Sequence, residues 1–376
     1  MKRARRWWLS LHLCIGLVLG GVFALLGVTG SVLVFYPEID RALNPELRPS
    51  TSLTRDVSVQ AVTNQLRRLH PERDGGWRIE LPLDDSTPIT ARSARLSERE
   101  GRSFSPLMLT LDPVTLERTS HRVWGDYLMT WIYDLHYTLL LDATGKLIVG
   151  TVGLVMLLSL LSGLWLWWPS KSRRWLALRP VVREGPVRRT YDLHVLAGAY
   201  GVVLLSVLAL TGAGLALPDQ TRILLDKMLG LTSMPEVATY RVVDKAIPMN
   251  LDRAVSVARE YFPEAELRWV DVPAIGEGPL SVRLYQSGEP GRRFPKTRLW
   301  LDPYSGEILA VRNPAQNTAG NTALDWLHPL HNGEAFGLIG RWVTFFSGCV
   351  PLLLFVTGII RWRQKRQARR KVVARI

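Results

Sequence analysis

Cysteine is almost missing from this chain of 376 residues: only Cys14 and Cys349 occur, and both fall inside long apolar runs. Disulfides therefore do not staple the polar segments, even in an oxidising compartment. Cysteine and methionine are too scarce to suggest a thiolate metal site. A nucleotide fingerprint, a Ser-His-Asp ordering and an HExxH helix are missing as well. Gly16-x-x-x-Gly20 is spaced for close helix packing in a membrane rather than for cradling phosphate.

What is abundant is apolar and clustered. Four runs, Leu9–Phe35, Leu147–Trp168, Leu193–Leu217 and Phe336–Ile360, each reach the roughly 20 residues that a helix needs to cross hydrocarbon. Pro37, Pro169 and Pro218 close the first three and Arg361 follows the fourth. Trp7, Trp8, Trp165, Trp167, Trp168 and Trp362 stand where run ends meet lipid headgroups.

The formal net charge of +14 is not spread evenly. Residues 1–8, 169–192 and 361–376 carry four, seven and eight Lys/Arg against two acids, Glu184 and Asp192. The rest of the chain is slightly acidic, with 28 basic and 31 acidic residues. An even number of spans puts the three basic segments on one side, and the positive-inside rule makes that side the cytoplasm. This distribution explains the basicity without nucleic acid as a partner. The first run is too long for a signal-peptide core and no small-x-small cleavage site ends it.

The chain also repeats itself. A shift of 182 lays Leu11-His12, Gly16 and Thr29-Gly30 on Leu193-His194, Gly198 and Thr211-Gly212. A shift of 195 lays Leu135-His136, Gly145-Lys146, Gly153 and Ser162-Gly163 on Leu330-His331, Gly340-Arg341, Gly348 and Thr357-Gly358. Trp77, Pro82 and Leu111-Asp112-Pro113 meet Trp269, Pro273 and Leu301-Asp302-Pro303 at intermediate shifts. Ordered matches at drifting offsets imply two copies of helix–external domain–helix in parallel topology.

The expected fold class is thus an integral membrane α-helical protein, with four transmembrane helices in a duplicated unit and two external α+β domains. Its segments are a first span with a cytoplasmic N-terminus (1–36), an external domain (37–135), a second span (136–168) and a cytoplasmic loop (169–192). A third span (193–218), a second external domain (219–327), a fourth span (328–361) and a cytoplasmic tail (362–376) follow. Each external half starts with an amphipathic helix, Val57–Leu69 or Leu251–Tyr261. Strands are expected at Trp77–Leu81, Leu107–Leu111 and Leu116–Thr119 in the first half. Leu267–Val272, Ser281–Tyr285, Arg298–Leu301 and Ile308–Val311 are expected in the second. Asp302-Pro303-Tyr304-Ser305-Gly306 is a strong turn signal and Asp112-Pro113-Val114-Thr115 a weaker one. Gly276–Pro279 and Gln286–Pro290 read as loops.

Of seven histidines, His70 and His121 lack counterparts in the repeat and read as surface or turn residues. His12 and His194 lie one turn inside the cytoplasmic edge of their spans, where an ionisable side chain is costly. Each has a glycine four residues later on the same face. Imidazole as axial ligand with a glycine leaving room for a flat macrocycle is the pattern of a haem site. A bare transition ion is the alternative, with a poor first shell; histidine bonded to a neighbouring helix is the structural one. His136 and His331 pair by the same repeat at the external edge, with His328 as alternative to His331. An interfacial histidine beside Asp134 or Asp142 is the plainer reading of that pair. Along the second and fourth spans the two histidine levels lie ~35 Å apart at helical rise, unless a non-helical stretch near Gly145 and Gly340 shortens the gap. Arg5, Arg6, Arg188 and Arg189 sit where haem propionates could pair with them, or serve topology alone.

The Leu-His-x-x-x-Gly starts of the first and third spans, Asp134-Leu135-His136, the turn at 301–307 and the pattern around Ala254–Trp269 resemble the PepSY-associated transmembrane family over essentially the whole chain. The resemblance implies two PepSY-like periplasmic domains in an inner-membrane protein with two b-type haems per chain, His12, His194, His136 and His331 being the axial ligands. It further implies a reductase of ferric siderophores, fed by quinol or a separate electron-donor protein and embedded in membrane lipid. A non-enzymatic PepSY module that anchors or regulates a transporter or periplasmic protein is the competing expectation. Trp77, Trp269, Arg283 and Arg298 are candidate lining residues of a cleft between the two external domains, core packing being the favoured reading for either Trp.

Overall fold

The computed structural model describes residues 2–49, 56–73, 76–93, 101–168, 184–233, 248–274 and 277–373. Most of the basic 169–192 connection and part of the 276–279 loop lie outside them. The chain divides into two compact units, one of Met1–Tyr36, Ile132–Thr221 and Leu327–Ile376, the other of Pro37–Trp131 and Arg222–Trp326.

The first unit is helical. It contains α1 (Lys2–Val18), α2 (Gly20–Val34), α6 (Asp142–Trp167), α7 (Pro186–Ala216) and α11 (Gly337–Val373). The last three are each long and apolar enough to cross a membrane. The expected first span is instead a broken helix, α1 and α2 meeting at 57° around Leu19. Consecutive glycines follow the break, a common cause of kinks; a Cβ on Gly20 would meet the Phe355 ring, 3.1 Å from its Cε2. The glycine that permits close backbone packing is Gly27, which abuts the Gly348 carbonyl of α11. Among the described residues Gly16 has nothing within 4 Å, so of the expected Gly16-x-x-x-Gly20 packing only the Gly20 half, against Phe355, is made. Arg341 donates to the carbonyl of Val34 at 2.8 Å, satisfying an orphan acceptor at the end of α2.

Two expected spans start later than their histidines. His136 lies on a separate helix, α5 (Leu128–Thr138), and His331 on α10 (Ala319–His331). After α5, Leu139, Leu140 and Asp142 all have positive φ, between 49° and 62°. Non-glycine residues there cost of order 1–2 kcal/mol each. Bonds from Leu141 N to Thr138 O (2.8 Å) and Gly145 N to Leu141 O (3.2 Å) hold the turn. Gly145 lies against the Thr138 carbonyl, and its repeat mate Gly340 against that of Gly333, so neither position admits a Cβ.

The second unit is built on one antiparallel sheet in the order β4-β3-β2-β1-β5-β6-β7-β8. The first four strands are β1 (Trp77–Glu80), β2 (Ile89–Ser93), β3 (Leu107–Leu111) and β4 (Arg118–Val123). The others are β5 (Glu266–Val272), β6 (Leu280–Tyr285), β7 (Thr297–Leu301) and β8 (Ile308–Arg312). Each half is an up-and-down meander, and β1 pairs with β5 in register Trp77↔Val272 to Glu80↔Trp269. This corrects the expectation of two separate domains. Each half alone would leave a hydrogen-bonding edge unpaired, and pairing edge to edge removes both. A cleft between two domains is correspondingly replaced by a continuous sheet. Strand β2 was hidden from the sequence by its small residues, and β4 begins two residues later than expected.

Helices α4 (Val59–Leu69) and α9 (Leu251–Tyr261) present Val59, Val62, Leu66 and Leu251, Ala254, Val255, Ala258 to a core with Ile79, Ala91, Leu109, Val270, Val282 and Leu299. Ser58 and Asn250 cap their N-termini by accepting from Ala61 N and Asp252 N. Asp252 also accepts from Ser58 Oγ (2.6 Å), tying the two helix starts together. The β3–β4 and β7–β8 turns are alike. Asp112 Oδ1 accepts from Val114 N and Thr115 N, Asp302 Oδ1 from Tyr304 N and Ser305 N. The left-handed position is Gly306 in one turn and Leu116 in the other, which is why the first signal is weaker. Leu66 is fully buried. Leu66→Ala is expected to cost about 2–5 kcal/mol, read as a lower thermal midpoint of the purified protein.

Candidate functional site

Four of the seven histidines come together in two pairs, all within the helical unit. His12 and His194 have ring centroids 6.4 Å apart, and His136 and His331 are 6.1 Å apart. These are the pairs expected from the repeat, with His331 rather than His328 facing His136. Each pair takes one histidine from each half of the chain.

All four rings are held in the same way. His12 Nδ1 lies 3.0 Å from Ser162 Oγ, His136 Nδ1 3.1 Å from Thr29 Oγ1, His194 Nδ1 2.9 Å from Thr357 Oγ1 and His331 Nδ1 3.1 Å from Thr211 Oγ1. Every one of these hydroxyls already donates to a carbonyl of its own helix: Ser159, Leu25, Leu353 and Val207 at 2.8, 2.7, 2.6 and 2.7 Å. A hydroxyl has one proton, so towards the imidazole it can only accept. The tautomer with the proton on Nδ1 satisfies both bonds, and in a neutral ring it leaves Nε2 with its lone pair.

The residue after each hydroxyl is glycine, and the ring fills the space its Cβ would take. A Cβ would come within 3.0 Å of His12 Cε1 at Gly163, 2.9 Å of His136 Cε1 at Gly30 and 2.8 Å of His331 Cε1 at Gly212. At Gly358 the approach to His194 Cε1 is a looser 3.6 Å. The Ser/Thr-Gly dipeptides were visible in the repeat, but their role as seats for histidines was not. That role needs the distance between helices, which no local pattern carries.

A ligand imidazole donates its other N–H to an oxygen, which fixes tautomer and orientation. Two imidazoles on opposite sides of one metal have ring centres about 6 Å apart, from a ~2 Å metal–nitrogen bond and the size of the ring. Both pairs have that spacing. Among the described residues no group of three or more His, Cys, Asp or Glu could hold an ion. Two donors are too few for a bare ion and are the number of axial positions on a haem. Among the described residues a Cβ on Gly16 would meet nothing within 4 Å and one on Gly198 only Leu354 Cδ2, at 3.8 Å, so neither glycine near the inner pair is tightly packed.

The two pairs are nearer than the expected ~35 Å. His331 meets α7 at Gly212, 18 residues from His194 on the same helix. That is about 27 Å at helical rise. The gap shortens because the outer histidines stand on α5 and α10, before the breaks.

The remaining sites expected from sequence are placed as follows. Arg5 donates to the Leu166 carbonyl (3.3 Å). His70 is buried at the C-terminus of α4, bonded to Glu72 at 2.9 Å and stacked on His121 with ring centroids 5.4 Å apart. It is therefore not a surface histidine. Trp77 belongs to the core of the sheet, whereas Trp269 packs between strands with Phe294 and two arginines.

The profile of the PepSY-associated TM region matches residues 9–365, nearly the whole chain. The chain belongs to the PepSY-associated transmembrane family. A protein of Pseudomonas aeruginosa named "Uncharacterized protein PA4219" is 26% identical over 258 residues. That match spans 62% of this chain and 63% of the relative's length. Membership in the PepSY-associated transmembrane family accords with a multi-pass membrane protein carrying a soluble antiparallel sheet domain.

Proposed function

We propose that this protein is a di-haem b oxidoreductase of the bacterial inner membrane, which reduces the Fe(III) of ferric siderophores to Fe(II) on the periplasmic side. The observation that carries the reading is two imidazole pairs, 6.4 and 6.1 Å apart by ring centroid, with every Nδ1 bonded to a hydroxyl. His12 and His194 would hold one haem and His136 and His331 the other, and bound haem supplies one-electron transfer. The chain's part is to fix the four rings, to keep their Nε2 atoms unprotonated, and to set one pair towards each end of the helical unit. One electron per ferric ion enters from a quinol or a separate protein, because the chain has no flavin or nicotinamide signature. Siderophores bind Fe(III) through hard oxygen donors, and Fe(II) is held less tightly by such ligands, so reduction releases the metal.

Purified protein is expected to show the Soret band of two bis-histidine b-type haems per chain. A colourless protein with folded helices would instead favour a membrane-anchored binding module. By the positive-inside rule the basic segments support cytoplasmic termini and a periplasmic sheet. Alkaline phosphatase fused after Ser120 or Pro290 should be active, and after Gly185 or Arg370 inactive. Activity at Gly185 would sink the four-span arrangement.

A further inference from the structure

On the face of the sheet opposite α4 and α9, three arginines gather on one carboxylate. Strand alternation sends Ile79, Val270, Val282 and Leu299 to the core, so Arg78, Asp271, Ser281, Arg283 and Arg298 share the other face. Arg283 and Arg298 are direct cross-strand partners, as are Arg298 and Arg312. Like charges directly opposite each other destabilise a sheet. Arg312 has its own acid, Asp325, at 2.7 Å. The other three converge on one carboxylate: Arg78 bonds to Asp271 Oδ1, while Arg283 and Arg298 reach Oδ2 at 3.1 and 3.4 Å.

Three guanidinium groups around one carboxylate leave two positive charges uncompensated. They are not simply hydrated, since the four side chains are only 19% to 24% exposed. Burial pushes Arg283 down to about 10 against the pull of Asp271, and the neighbouring Arg78 and Arg298 add to the fall. Burial would raise Asp271, yet the hydrogen bond from Arg78 and the surrounding arginines hold it below the usual carboxylate range. Two buried donors in the cluster, Arg283 Nε and Trp269 Nε1, also find no acceptor among the described residues. Trp269 is the register partner of Arg283, and the guanidinium groups of Arg78 and Arg283 each lie 5.0 Å from its ring centre. Excess charge and orphan donors at one place ask for the same thing, a ligand rich in anionic oxygen.

We propose that Arg78, Arg283 and Arg298 form the seat of a carboxylate-bearing anion. Resting on the reductase reading above, that anion is the substrate itself, a ferric chelate with net negative charge. The arginine fork matches carboxylates in bidentate fashion, and the buried Trp269 ring backs the Arg78 and Arg283 guanidinium groups. Asp271 holds the three arginines in place when no ligand is bound, and it competes with the ligand for them.

Gallium(III) citrate, an anionic and redox-inert stand-in, tests this by titration calorimetry on the full-length protein in neutral detergent. Wild type should bind it, with affinity falling as salt rises. R283Q and R298Q should each weaken binding roughly tenfold or more, and R283K should not restore it. D271N should bind more tightly, a direction that a damaged fold does not produce. Unchanged affinity in R283Q, or equal binding of a cationic gallium trihydroxamate, overturns the proposal. Full competition by phosphatidylglycerol nanodiscs, but not phosphatidylcholine ones, overturns it too and assigns the cluster to lipid headgroups. The reading of the helical unit fails separately: gallium citrate would bind while ferric citrate leaves the dithionite-reduced protein unoxidised.

Discussion

If the proposed haems are bound, His12→Ala is expected to halve the haem content of the purified protein, and His194→Ala to remove the same haem. His136→Ala or His331→Ala removes the other. Two substitutions within one pair should do no more than either alone, whereas His12→Ala with His136→Ala should leave none. The pattern follows from the pairs, which sit 6.4 and 6.1 Å apart by ring centroid and belong to different helices. Pyridine haemochrome content per chain is the measurement. Equal haem in the wild type and the His12→Ala His136→Ala double variant would falsify the assignment. His328→Ala should retain both haems. The hydroxyl seats grade the effect: Thr211→Val keeps the volume and removes the acceptor for His331 Nδ1. Loss of such a supporting bond is expected to weaken retention about 10–100-fold. Gly212→Leu is harsher, because a Cβ there already comes to 2.8 Å from the ring.

The histidine pairing was legible in the sequence because duplication supplies an internal comparison. His12 and His194 share a depth and a following glycine, and so do the Ser/Thr-Gly dipeptides that receive the four rings. Helices α4 and α9 were legible from their periodicity, and Leu251–Tyr261 has the expected bounds. Three features were hidden for physical reasons. The bend at Leu19 lies inside an unbroken apolar run, and Gly20-Gly21, its one local mark, also suits a straight packed span. The break after Thr138 puts leucines, not glycines, at positive φ, so no turn residue marks it. The β1–β5 pairing is a contact between halves about 190 residues apart, and edge strands carry no label of their partner. Arg283 and Arg298 were named as candidate lining residues, but Arg78 and Asp271 were not: the four become a cluster only once β1 lies beside β5.

In sealed, right-side-out proteoliposomes, an impermeant ferric siderophore added outside should oxidise dithionite-reduced protein during mixing. Chain continuity is the reason to expect that side. The outer histidines stand on α5 and α10, which follow β4 and β8 after four and six residues. The inner ones stand on helices whose flanking segments carry most of the basic excess. A ferric siderophore is too large and polar to pass the hydrocarbon, so the pair close in sequence to the sheet must meet it. Replacing His136 or His331 should therefore slow oxidation by external chelate at least as much as it lowers haem content. Replacing His12 should instead leave that oxidation fast and slow re-reduction by a donor supplied from within. The absorbance of the reduced protein, followed in a stopped-flow cell, separates the two. Oxidation seen only after the vesicles are made leaky would put the reaction on the cytoplasmic side, and the order of the two pairs along the electron path would have to be reversed.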